Sequence, residues 1–319
     1  MLGIIILNYN TPYDTIKCIE SIVRYTNSKY KIYIVDNFSK DKSIEILNDN
    51  LKKYIQNNIC EIISSNQNNG YSSGNNIGIK KAIIEKCDKI LIVNSDVILL
   101  NNAIDLMIEI LNSKNDIYII GPYIINSKEE ESYFNRRPLT FFSFVINKKP
   151  FVYFYLLSRK NIKISEIRNI NKINNTDLIL FNGMVSGCCF MFKVELINKI
   201  GLLDDNLFLF HEEDIIAHKL RQLNIKAAFY KKAKVMHFGS KSTSMKGLAF
   251  ERYNRYLSSL YVMKYYAKEN IIYIIIASII NIFPMIINSI FLKEYRKLIK
   301  KYIYNNINII ISTKEIKIY

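Results

Sequence analysis

Carboxylates stand where apolar runs end in this chain. Asp36 closes KIYIVD, Asp96 follows KILIVNS, and Glu212, Glu213 and Asp214 follow LLDDNLFLFH. A buried strand is a costly place to end in a charge unless a ligand or a hydrogen-bond donor meets it. Asp36 alone reads equally as the cap of a following helix. Asp96 alone reads as a cap near Asn102 or a solvated turn. Together, at successive strand ends, they outline one site. Asp36 suits the N–H of a pyrimidine base. Asp96 suits Mg²⁺ or Mn²⁺, hard cations that need few carboxylates when substrate phosphates supply the remaining oxygens. The polar loop Asn8-Tyr9-Asn10-Thr11 follows the first apolar run. The stretch NQNNGYSSGNNIG, residues 66–78, spaces Gly70, Gly74 and Gly78 for tight turns and close backbone approach. It is not the GxGxxG fingerprint, and it follows the third apolar run, not the first. The three adjacent acids also suit the dipole of a helix N-terminus. Two metal readings fail on spacing: His211-Glu212 is not HExxH, because position 215 is Ile, and His211 and His218 lack a third ligand nearby. Cys188 and Cys189 read as small buried residues.

Periodicity defines the elements that must hold these residues. Strands at Gly3–Leu7, Lys31–Val35, Glu61–Ser64 and Lys89–Val93 alternate with helices at Tyr13–Tyr25, Asp41–Tyr54 and Ser73–Lys86, and Asn102–Leu111 and Ile117–Ile120 continue the alternation. Such a pattern means βαβ units and a mostly parallel sheet with helices on both faces. Strand C-termini and their loops then share one ligand-binding edge. Residues 126–180 break the pattern with Arg136, Arg137, Pro138 and two aromatic runs, and read as an insertion or lid. Regular structure resumes at Val185–Lys193, with a helix to Ile200, a helix over Glu212–Leu223 and a strand over Ile225–Tyr230.

The tail differs. Ile271–Leu292 is nearly all apolar, broken by Asn281, Pro284 and Asn288, and followed by Lys293, Arg296, Lys297, Lys300 and Lys301. A span needs ~20 apolar residues. The segment reads as a span or an interfacial anchor whose basic flank favours the cytoplasmic leaflet, with a buried core helix as the alternative. Half of the 319 residues are hydrophobic, which supplies a packed core for one large or two small domains. The net charge of +16 suits phosphate-bearing ligands, polyanions or anionic membranes. Five irregularly spaced cysteines make no disulfide framework and fit a reducing cytosol. The N-terminus lacks a basic region and a cleavage site, so export is not expected.

Seven segments, in order, resemble the inverting family 2 glycosyltransferases of GT-A fold, specifically the rhamnosyltransferase-like branch. They are LNYN (7–10), VDNFSKDKS (35–43), NNGYSSGNNIG (68–78), VNSD (93–96), SGCCFMFK (186–193), GLLDDNLFLFHEED (201–214) and HFGSKS (237–242). The resemblance implies a donor-nucleotide site at Asn8, Asn10, Asp36, Asn69, Gly70, Asn94 and Ser95. It makes Asn94-Ser95-Asp96 the counterpart of the metal-binding DxD motif, with Asp96 the remaining carboxylate and His237 completing the metal site. It makes Glu212-Glu213-Asp214 the counterpart of the ED motif, which supplies the base that deprotonates an acceptor hydroxyl. Glu213 is the first choice for that base and Asp214 the second. The further Asp common two residues after ED is Ile215 here.

The expectation is an α/β GT-A protein with a nucleotide-sugar-binding half (1–125), an acceptor-side half (126–245) and a C-terminal helical region (246–319). It would use Mg²⁺ or Mn²⁺ to move a sugar, rhamnose or a hexose, from a dTDP- or UDP-sugar to a glycan or lipid-linked acceptor at the cytoplasmic membrane face, in bacterial surface polysaccharide synthesis. Alternatives are a nucleotidyltransferase, a basic nucleic-acid or membrane-binding module, and a transferase that binds without turnover. The ordered carboxylates would repel a nucleic acid, so none is expected as partner.

Overall fold

The computed structural model describes residues 1–128, 138–146, 176–239 and 247–318. The chain runs β1 (Leu2–Asn8), α1 (Pro12–Tyr25), β2 (Tyr30–Asp36), α2 (Ser43–Gln56), β3 (Cys60–Ser64), α3 (Tyr71–Ile84), β4 (Lys89–Asn94), β5 (Val97–Leu99), α4 (Ala103–Ser113) and β6 (Ile119–Asn126). It continues with α5 (Phe141–Ile146), β7 (Leu178–Phe181), β8 (Cys189–Lys193), α6 (Glu195–Ile200), α7 (Glu212–Gln222) and β9 (Ala227–His237). Three helices follow: α8 (Gly247–Tyr265), α9 (Ile271–Phe291) and α10 (Lys293–Ile311).

The sheet order is β3-β2-β1-β4-β8-β6-β9-β5, with β7 on β9. The half made of β3, β2, β1 and β4 is parallel. Beyond β4 the sheet is mixed, because β8 runs antiparallel to both β4 and β6. β1 shows why its sequence is β-branched on both faces. Ile4 and Ile6 point into one core with α1, α2 and α4, while Ile5 points into another with α3, α6 and α7. Successive side chains alternate across a strand, so a sheet covered on both sides needs apolar residues at every position. Helix α1 starts with Pro12 in its first turn and carries Asp14 near its N-terminus and Arg24 in its last turn, each at the dipole end that favours it.

Several expected boundaries move. The regular structure expected at Val185–Lys193 is a strand only from Cys189, since residues 187 and 188 form a turn, where Asn94 N–H donates to the Cys188 carbonyl at 2.8 Å. The last strand extends from the expected 225–230 to His237. A register shift of β9 against β6 after Pro122 divides it, so that its first half pairs with β7 and its second with β5. β5 was not anticipated. The tail is not loose: α8, α9 and α10 build a third core with Leu207, Ile215, Leu139 and Phe144.

Candidate active site

β1 and β2 end in register at Asn8 and Asp36, and Leu7 of β1 pairs with Asn94 of β4. The loops after them therefore open side by side. A cavity of about 380 Å³ lies at this edge. Its wall includes Tyr9, Thr11, Asn37, Asn68, Gly70 and Tyr71 on one side, Asn94, Ser95, Asp96 and His237 at the sheet edge, and Glu212, Glu213 and Asp214 opposite.

Asp96 and His237, far apart in sequence, meet through β5 and β9. Val97 pairs with His237, and Phe238 N–H donates to the Asp96 carbonyl at 3.0 Å. This brings His237 Nε2 to 3.2 Å from Asp96 Oδ1. The approach is an ion-pair contact without hydrogen-bond geometry, and Nε2 is buried with no hydrogen-bond partner among the described residues. Burial works against charge on the imidazole, but Asp96 and Cys188 outweigh it and raise its pKa to about 10. A divalent cation at Asp96 and His237 would take the place of the proton that pairs them, and would draw its other ligands from a substrate diphosphate. No group of three metal-ligating side chains occurs among the described residues, so the protein alone supplies an incomplete shell.

The acid cluster is presented by a strained turn. Phe210 and His211 both adopt left-handed backbone conformations (φ 73° and 69°) just before α7 starts at Glu212. Consecutive non-glycine residues in that region are held only by surrounding structure, and such strain gathers at functional sites. The three acids then diverge. Asp214 Oδ1 accepts the Leu139 N–H at 2.6 Å, and its Oδ2 lies 2.7 Å from His211 Nδ1. Glu213 Oε1 accepts the Gly187 N–H at 3.2 Å. Glu212 is buried, and its Oε1 has no hydrogen-bond partner among the described residues. Burial first, and then the neighbouring Glu213 charge, push the Glu212 pKa up to about 8. Burial also raises the Glu213 pKa.

Asp36 sits behind the wall. Its Oδ1 accepts from Asn8 Nδ2 (2.8 Å) and the Ser39 hydroxyl (2.6 Å), and its Oδ2 accepts the Ser39 N–H (3.0 Å). Asn10 is engaged with the same turn: its N–H donates to Ser39 Oγ at 2.9 Å, and its side-chain oxygen accepts the Lys40 N–H at 2.8 Å. Asn8, Asn10 and Asp36, expected at the nucleotide, are thus tied together in one hydrogen-bonded corner at the ends of β1 and β2, next to the cavity walls formed by Tyr9, Thr11 and Asn37. The physical reason is that a strand-end carboxylate only 1% exposed takes its donors from the protein and ties two loops together. Gly70, Asn94, Ser95, Asp96, His237 and the three acids do come together.

Four of the wall residues that the sequence reading did not assign to the site carry specific contacts. Tyr71 donates its hydroxyl to the Gly187 carbonyl at 2.6 Å. A Cβ at Gly187 would lie 2.6 Å from Glu213 Oε1, so a side chain there would displace the Glu213 carboxylate. Asn37 Nδ2 bridges Asn68 Oδ1 and the Gly70 carbonyl, each at 3.1 Å. Tyr71, Gly187 and Asn37 sit inside the recognised motifs, and that was the available signal. Arg255 of α8 has none. It lies 4.1 Å from the centre of the Phe210 ring, and among the described residues it is the only Lys or Arg on the wall. Arg136, Arg137, and Ser240, Lys241 and Ser242 of the last motif fall outside the described residues.

A three-layer α/β fold with a polar cavity at the strand C-termini and a metal-suited pair beside it defines the GT-A class of architecture. The chain belongs to glycosyl transferase family 2, whose model matches residues 3–201. It is 28% identical over 123 residues to glycosyltransferase GlyG of Streptococcus pneumoniae serotype 4, covering 39% of each chain. It is 23% identical over 228 residues to the low-salt glycan biosynthesis hexosyltransferase Agl10 of Haloferax volcanii, covering 70% of this chain and 62% of that protein. The chain thus spans less than two thirds of the length of these curated relatives. Two solved structures share the fold. GalNAc-T7 with UDP, GalNAc and Mn²⁺ aligns with a TM-score of 0.59 at 17% identity, over 83% of this chain and 47% of that one. The mannosyltransferase PcManGT of Pyrobaculum calidifontis with GDP-Man and Mn²⁺ aligns with a TM-score of 0.55 at 10% identity, over 98% and 88%.

Proposed function

We propose that this chain transfers a sugar, a hexose or rhamnose, from a nucleoside-diphosphate donor to a hydroxyl of a glycan or lipid-linked acceptor, with inversion, in surface glycan assembly at the cytoplasmic membrane face. The observation that carries this reading is one cavity that holds both the Asp96–His237 pair and the Glu212–Asp214 cluster. Family membership and relatives named as glycosyltransferases support it. Asp96 and His237 would hold Mg²⁺ or Mn²⁺, and Mn²⁺ is the ion in both similar structures. Bound there, the cation would neutralise charge on the departing diphosphate. Asn94 stands at the first position of the Asn94-Ser95-Asp96 motif, so the motif contributes one carboxylate. Arg255 can add positive charge at the wall. Glu213 is the base: its carboxylate faces the cavity and is aimed by the Gly187 N–H. Asp214 is a positioning residue, because both its oxygens are engaged by Leu139 and His211. Burial and the neighbouring Glu213 charge favour the protonated form of Glu212.

The test is calorimetric titration of UDP, dTDP and GDP into the purified chain with and without Mn²⁺. One nucleotide should bind in a metal-dependent way. Asp96→Asn should weaken that binding at least ~100-fold, beyond what changing a ligand's supporting residue costs. If no nucleotide binds while duplex DNA does, with strong salt dependence, the transferase reading falls and a basic binding module replaces it.

A further inference from the structure

Helix α9 is long and apolar enough to cross a membrane by length and composition. Its packing says otherwise. Ile274, Ala277, Asn281 and Met285 form one continuous stripe, fully buried against the neighbouring helices. Polar groups on that side find their partners in the protein. The Ser278 hydroxyl donates to Asn306 Oδ1 at 2.6 Å, and Asn281 Nδ2 to Ser259 Oγ at 3.4 Å. A transmembrane placement would pull this stripe from α8 and α10 and leave Ser278 and Asn281 without partners in hydrocarbon.

The opposite stripe is a different surface. Ile272, Ile275, Ile279, Phe283, Ile286 and Ile290 repeat at three- and four-residue spacing and are all exposed, Phe283 by 63%. Helix α9 contains no charged residue. A contiguous exposed apolar stripe running the length of a helix is the kind of surface that marks a protein or membrane contact. Immediately after it, α10 exposes Lys293, Arg296, Lys297, Lys300 and Lys301. A second copy docked on this stripe would bring a second basic cluster toward the first. An anionic lipid surface is complementary to both features at once.

We propose that the outer stripe of α9, with the basic start of α10, is a docking surface for an anionic bilayer, on which α9 lies in the plane and does not cross. The surface is wired to the acid cluster. Phe141 stacks on Tyr273 of α9 with ring centres 4.5 Å apart, and its N–H donates to Glu269 Oε1 at 2.8 Å. Two residues earlier, Leu139 donates its N–H to Asp214 and its carbonyl lies 2.8 Å from His218 Nε2. The short segment 138–146 thus joins the lipid-facing helix to the N-terminus of α7. Under the proposed function, which this placement assumes only for its purpose and not for its physics, a lipid-linked acceptor would meet the acids from the bilayer side.

Vesicle flotation tests it. The full chain should float with phosphatidylcholine vesicles containing about a quarter phosphatidylglycerol, and much less with phosphatidylcholine alone or at high salt. The double variant Ile279→Asp/Phe283→Asp should lose flotation at least tenfold while keeping its melting temperature and metal-dependent nucleotide binding. Retained nucleotide binding separates failure of this surface from failure of the transferase reading. All five native cysteines are buried. A Thr313→Cys variant can therefore be labelled selectively with a membrane-impermeant maleimide, and on externally loaded vesicles it should label fully. Protection of that cysteine would overturn the proposal in favour of a span. A wild type that ignores vesicles but forms a dimer that the double variant breaks would overturn it in favour of a second copy.

Discussion

Glu213 and Asp214 are neighbours in sequence but do different work, and the difference lies in what their oxygens touch. Asp214 is engaged at both oxygens, whereas Glu213 meets one backbone N–H at the cavity. Glu213→Gln is therefore expected to lower kcat by ~10²–10⁴-fold, the range for loss of a general base, with donor binding unchanged. Steady-state kinetics beside calorimetry would separate the two effects. Activity should rise with pH through a limb lying above the ordinary carboxylate range, because burial raises the Glu213 pKa and the base must be ionised. A profile already flat at pH 5 would count against Glu213. Glu212 gives a stability prediction of defined sign. Its folded pKa of about 8 exceeds the ordinary value of 4.5, so the folded state holds its proton more tightly than the unfolded state does. Its stabilising contribution is complete below pH 4.5 and is lost as pH rises through about 8. Glu212→Gln should accordingly raise the melting temperature at pH 8.5 and leave it nearly unchanged at pH 4.5. At this scale the sequence was legible in residue type and order. It could not tell which acid is aimed by Gly187, or that Asn8 and Ser39 hold Asp36, because hydrogen-bond partners are set by loops folding over one another.

At the scale of elements, one turn sets the distance between the two sides of the cavity. Gly70 caps the start of α3 with φ +92°, and the next residue, Tyr71, donates its N–H to the Phe208 carbonyl at 2.9 Å. A Cβ at Gly70 would lie 2.0 Å from that carbonyl oxygen. Gly70→Ala therefore meets backbone strain of ~1–3 kcal/mol plus a clash with main chain that cannot swing aside. Gly201→Ala is the control: φ there is +74°, but nothing lies within 4 Å of the added carbon. Urea denaturation should show a clearly larger loss for Gly70→Ala, and only that variant should also weaken nucleotide binding. The glycine spacing around residue 70 was visible in sequence as a turn. The strand that makes the metal pair was not: β5 has only three residues, too short for an alternation to register, and it exists because β9 runs on to His237.

For the whole molecule, the family match ends at residue 201, yet the acid cluster and the tail helices that pack against its helix lie beyond it. Ile215 of α7 and Leu207 are buried in the same core as Leu257, Leu260 and Tyr261 of α8. The Ser258 hydroxyl donates to the Leu209 carbonyl at 2.8 Å, and Tyr261 to Asp204 at 3.1 Å. Removal of residues 247–319 should therefore leave a chain that aggregates or elutes as an expanded species in size-exclusion chromatography, with near-ultraviolet circular dichroism lost. A compact, nucleotide-binding product would show that the tail is dispensable for the site. By itself the sequence determined the parallel half of the sheet, the helices that flank it and the positions of the acids, because alternation of apolar residues and strand-end polarity are local properties of the chain. Only the tertiary structure decided that Asp96 meets His237, that Asp36 is turned inward, that Arg255 reaches the cavity from the tail, and that α9 buries one side and exposes the other. Each of these depends on which distant surfaces pack together, and an apolar helix has the same composition whether protein or lipid covers it.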